Sequence, residues 1–117
     1  MGYRGYEDLM VWRRSKDMVI LVYKALKGTR EFKLKEQMTK AAISIPSNIA
    51  EGYERRSSKE FVKFLGYSKG SASELKTQIQ IAGETGIILE ETAKDLINEI
   101  TQINSMLAGL IKSNKQK

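Results

Sequence analysis

The chain has 117 residues, 29% of them charged, with 20 Lys/Arg against 14 Asp/Glu for a net charge of +6. That length suits one ordinary hydrophobic core, so a single domain over residues 1–117 is expected. Cysteine and histidine are both absent, which removes disulfides, the thiolate nucleophile, the commonest general base and the commonest metal ligand.

The segment Met1–Asp8 holds no apolar signal core, and the aliphatic run Met18–Tyr23 is far too short to cross a bilayer. A cytoplasmic protein without membrane contact is therefore expected. The first helix is expected near residues 7–27, with Leu9, Trp12, Val19, Tyr23 and Leu26 on its core stripe and Gly28 as its stop. Met18–Tyr23 followed by Ala25-Leu26 makes this helix apolar nearly all the way round. Val11, Met18, Val22 and Ala25 form an additional stripe, expected to be covered by another protomer in a homo-oligomer.

The second helix is expected near 33–53, on the stripe Leu34, Met38, Ala41, Ala42, Ile45 and Ile49. Its second half, Ala41–Tyr53, carries Pro46, Asn48 and Gly52, where a plain amphipathic helix would want none. An interior proline costs ~3 kcal/mol, so Pro46 is expected to specify a kink. Ser44, Asn48 and Glu51 share a face. The structural expectation is that Ser44 and Asn48 satisfy backbone groups freed by Pro46 while Glu51 pairs with a cation. A reactive polar constellation is the weaker alternative.

The third helix, near 58–85, opens on Ser57-Ser58-Lys59-Glu60, a capping box. Phe61, Leu65, Ser68, Ala72, Leu75, Ile79 and Ala82 give its core stripe, and Gly66, Gly70, Ser71, Ala72 and Ser73 are small enough to let a neighbouring backbone approach. Gly86 ends it. The fourth helix, near 89–112, begins with Glu90 and Glu91, favoured by the macrodipole, and residues 113–117 are expected to fray. Short connections make these helices antiparallel neighbours in an all-α, up-down-up-down four-helix bundle.

No metal or cofactor is expected. Di-metal bundles use Glu-x-x-His, and Gly66-x-x-x-Gly70 lies inside a helix, where it cannot act as a phosphate loop. The charge is uneven: residues 1–76 hold 16 Lys/Arg against 9 Asp/Glu, residues 77–117 only 4 against 5. Arg55, Arg56, Lys59 and Lys63 gather at the start of the third helix, beside free backbone amides. With Arg13, Arg14, Lys16 and Lys40 they form a candidate phosphate-binding set.

The pattern Ala41-Ala42-x-Ser44-Ile45-x-x-Asn48-Ile49-Ala50-Glu51-Gly52 resembles the hallmark of the bacterial four-helix bundle family encoded in intervening sequences of large-subunit ribosomal RNA genes. Leu9, Val11-Trp12, Tyr23, Phe61, Phe64-Leu65, Gly70-Ser71 and Glu74-Leu75 resemble its first and third helices. Lys40 stands where that family often has arginine, Phe32-Lys33 where it often has Phe-Pro, and Ser68 where a small apolar residue is common. The resemblance implies a four-helix bundle, and homopentameric rings are known among such proteins. A similar bundle accompanies the reverse transcriptase of diversity-generating retroelements, which implies nucleic acid as a partner by analogy. The expected function is non-enzymatic: a homo-oligomer binding RNA or other nucleic acid through a basic surface. The alternative is a homo-oligomeric scaffold for a protein partner.

Overall fold

The computed structural model describes residues 5–117. Residues 1–4, part of the segment Met1–Asp8 read above, lie outside the described residues. A single 3-10 turn, Tyr6–Asp8, precedes four helices: α1 (Met10–Ala25), α2 (Phe32–Glu54), α3 (Ser58–Glu84) and α4 (Glu90–Lys115). They form a four-helix bundle measuring 45 × 23 × 22 Å.

The side-chain pairs show why neighbours run antiparallel. Ser44 of α2 meets Ser71 of α3, Ile45 meets Ser68 and Gly52 abuts Phe61 and Phe64. Rising positions on one helix thus meet falling positions on the next. Gly83 lies against Ala93 across the tight α3–α4 turn, and Arg14 of α1 reaches Glu99 and Gln102 of α4.

The ends follow local chemistry. Ser57 Oγ accepts from the Glu60 amide at 3.3 Å, while the Glu60 carboxylate leans towards Arg55 at 3.9 Å, so half of the capping box forms. Gly86, at φ +79, lets the Ile87 amide return to Ala82 O and its own amide to Gly83 O, the paired bonds of a Schellman ending. Gly28 is likewise left-handed, at φ +86, after α1. The first helix starts later than expected because Leu9 is extended, ending the 3-10 turn and offering its carbonyl to Trp12 and Arg13. Helix α4 continues through Lys115, into the segment expected to fray, with Asn114 buried and donating to Leu110 O at 2.8 Å.

The face of α1 differs from the expected one. Val11, Met18 and Val22 are 2%, 0% and 0% exposed inside the protomer's own core, with Ala25 packed beside them. Val11, Met18 and Val22 are therefore not available for a protomer contact, while Ala25 stays partly exposed. They continue the four-three spacing of Val11, Ser15, Met18 and Val22, in which buried Ser15 satisfies its hydroxyl on Trp12 O. The stripe first assigned to the core lies off to one side: only Leu26 is fully buried, Leu9, Trp12 and Val19 are partly so, and Tyr23 is 45% exposed.

Helix α2 runs unbroken through Pro46, whose ring is buried. Proline at 46 deprives the Ala42 carbonyl of its donor. Asn48 Nδ2 does not cover that group; it donates to the Ser44 carbonyl and hydroxyl, both at 2.9 Å. The Ser44 hydroxyl also pairs with Ser71 Oγ at 2.8 Å, and one turn along α3 Ser68 donates to Ile45 O at 2.8 Å. The polar residues of the hallmark thus stitch α2 to α3 rather than repair the proline. Glu51 pairs with Arg55 at 2.9 Å, on the turn that follows.

Glycine has two distinct uses in α2 and α3. A Cβ on Gly52 would lie 2.5 Å from Phe64 Cβ, so helix contact there requires glycine. Gly66 and Gly70 have open space where a side chain would be. They face away from the core, and the close packing expected of them within the protomer is made instead by Ser68, Ser71 and Ala72.

Candidate nucleic-acid interface

The antiparallel order brings the start of α1, the end of α2, the start of α3 and the end of α4 to one end of the bundle. Cations at that end include Arg13, Arg55, Arg56, Lys59, Lys63, Lys112, Lys115 and Lys117. Lys112 and Lys115 are brought to this end by the continued helicity of α4, which short-range sequence signals do not reveal.

The eight cations expected to bind phosphate are not equivalent. Arg14 forms a two-pronged bond to Glu99, at 2.9 and 2.8 Å, and also donates to Gln102 at 2.6 Å. Hydrogen bonding to Glu99 raises its already high pKa, against the lesser opposing effect of burial. This guanidinium joins α1 to α4 and is not free for a phosphate. Arg13 caps the 3-10 turn, donating to Glu7 O at 2.6 Å and pairing with Asp8 at 3.3 Å. Lys16 lies 3.7 Å from Asp17 and 5.7 Å above the Trp12 ring. Lys40 sits fifteen positions before Arg55 on α2, about 22 Å along the helix, in a polar groove with Gln37, Ser44, Ser71 and Glu74. The structure does not bring Lys40 to the basic end, and Lys16, in the second turn of α1, has its charge matched by Asp17.

Four residues remain there around the α2–α3 turn. Arg55 pairs with Glu51 and Glu60 and stacks 4.9 Å above the Phe64 ring, an arrangement that holds its plane in place. Lys63 approaches the same ring at 6.0 Å. Arg56, Lys59 and Lys63 are exposed, and among the described residues none of them has an ion pair. Arg56 adopts φ +56, the one left-handed non-glycine residue among those described, as the chain reverses into α3. Three unneutralised cations thus occupy the turn and first two turns of a 27-residue helix, where the backbone dipole adds positive potential.

Beside this turn is an open cleft of about 430 Å³ between the helix ends, with Tyr53, Arg56, Phe61 and Asn114 on its walls. The Tyr53 and Phe61 rings meet edge to face at 6.0 Å. Sequence spacing placed Phe61 on the core stripe, and its partial exposure next to Tyr53 depends on how α3 turns away from α2. Among the described residues no cluster of three acidic side chains could hold a metal, and no helix is long and apolar enough to cross a membrane.

The chain belongs to the 23S rRNA-intervening sequence protein family, whose model matches residues 7–109. It is similar to a crystal structure from Bacteroides thetaiotaomicron, a protein of unknown function from the S23 ribosomal protein family. The two share 26% sequence identity over 88% of this chain and 99% of that one, with a TM-score of 0.82. Nothing among curated proteins matches the chain.

Proposed function

We propose that this bundle is a non-enzymatic, self-associating protein that binds RNA through its phosphates, using Arg56, Lys59 and Lys63 with Arg55 as a braced fourth cation. One observation carries the reading: these three side chains are charged, exposed and unpaired, whereas Arg13, Arg14 and Lys16 are held by neighbouring groups. Cations without acidic partners can neutralise phosphate without first giving up an ion pair. The family's association with ribosomal RNA intervening sequences is consistent with an RNA partner.

Self-association is assigned to residues other than the original stripe. Ile20, Leu21 and Tyr23 leave α1 with close to half of each side chain exposed, and a second protomer would cover them. Repetition around a ring, the arrangement the family resemblance implies, would present the basic turn several times over.

The test is fluorescence anisotropy with a structured RNA. Combined Arg56→Glu, Lys59→Glu and Lys63→Glu should abolish binding at about 50 mM salt, while Lys40→Glu should lose far less. Equal binding by the triple variant would overturn the reading and leave a scaffold for a protein partner.

A further inference from the structure

The cleft beside the basic turn carries more than positive charge. Tyr53 and Phe61 supply flat apolar surface, set edge to face, and Arg56 and Lys117 supply cations at its rim. Asn114 lies on the wall, only 9% exposed. Its Nδ2 is committed to Leu110 O at 2.8 Å, and its Oδ1 has no hydrogen-bond partner among the described residues. That oxygen keeps contact with solvent on the cleft wall, and a ligand N–H placed there would take the place of a water.

Each candidate ligand class uses these groups differently. Inorganic phosphate would engage the cations and leave the rings and Asn114 unused. A purely apolar ligand would leave Asn114 Oδ1 unsatisfied and the cations solvated. A nucleotide uses all three features: a π-face against an aromatic ring, a base N–H towards Asn114 and a phosphate towards Arg56. The volume of about 430 Å³ falls within the usual range of small-ligand clefts, roughly 300–1,000 Å³. A base inside a duplex cannot present its face to a protein ring, whereas an unpaired base can be splayed out and stacked.

We infer that this cleft seats one unstacked nucleotide of a single-stranded RNA segment, so that the protein prefers loops and ends to continuous duplex. The inference rests on the RNA reading above and adds to it the form of RNA that is recognised. Phosphates flanking the seated nucleotide would run along Lys59 and Lys63.

The experiment compares a single-stranded oligoribonucleotide with a blunt duplex of equal phosphate number, by anisotropy, on the wild-type chain and on Asn114→Leu and Tyr53→Leu. The single strand should bind roughly tenfold more tightly. Both variants should remove most of that preference while leaving duplex affinity unchanged. Competition on the wild-type chain serves if a variant fails to fold: adenosine monophosphate should displace the single strand at concentrations where inorganic phosphate does not. Equal affinity for the two RNA forms, or equal competition by the two small anions, would overturn the inference. The RNA reading would survive either result if the Arg56/Lys59/Lys63 reversal still abolished binding, and would fall separately if it did not.

Discussion

A methyl group at Gly52 would sit 2.5 Å from Phe64 Cβ and 3.2 Å from the Phe61 ring. Both aromatic side chains are anchored in α3, so relief requires the helices to separate. Gly52→Ala should therefore cost about 1–3 kcal/mol, read as a lower urea midpoint with an unchanged slope. Arg14→Gln tests a different kind of contact. The pair with Glu99 is two-pronged, but the side chains remain 31% and 28% exposed, so solvent screening limits the loss to about 1 kcal/mol. RNA affinity should be unaffected, because Arg14 is occupied within the protomer. Glycine at 52 stood out in the hallmark pattern, but its close approach to Phe61 and Phe64 was not legible, because both rings come from another helix. The occupation of Arg14 was not legible either, because its partner lies 85 positions away and nothing local distinguishes a paired arginine from a free one.

At the scale of elements, four of the boundaries rest on signals visible in sequence: Ser57 as a cap, Gly28 and Gly86 as left-handed stops, and acidic residues opening α4. Replacing Gly86 by alanine would force a side chain into φ +79 and should destabilise the bundle by about 1–2 kcal/mol, checked by thermal or urea unfolding. The face of α1 was not legible in the same way. Its core seam passes through Ser15, which a search for apolar spacing skips, while exposed Ile20, Leu21 and Tyr23 fill the intervening positions. Apolar residues all round a helix remove the contrast on which such a search depends. We propose those exposed residues as the protomer contact in place of the buried stripe. Ile20→Asp with Tyr23→Asp should lower the mass measured by sedimentation velocity without lowering unfolding stability, whereas Met18→Asp should unfold the protomer.

For the whole molecule, the helix order determines which charges can act together. Arg56, Lys59 and Lys63 meet the end of α4 at one pole of the 45 Å bundle, while Lys40 is left on its flank. The overall excess of positive charge and its concentration in residues 1–76 were plain from the sequence. The division into paired and unpaired cations needed the fold, because it depends on which carboxylates come alongside. The cleft walls were also hidden, since Tyr53, Phe61 and Asn114 come from three different helices.

The central claim is that three unpaired cations bind RNA phosphate, and the salt dependence of affinity tests it most directly. The slope of log Kobs against log salt should be shallower for the Arg56→Ala/Lys59→Ala/Lys63→Ala variant than for the wild type by about 2 to 3, since each neutralised phosphate contributes about 0.7–0.9. A slope unchanged by removing all three cations would contradict the account.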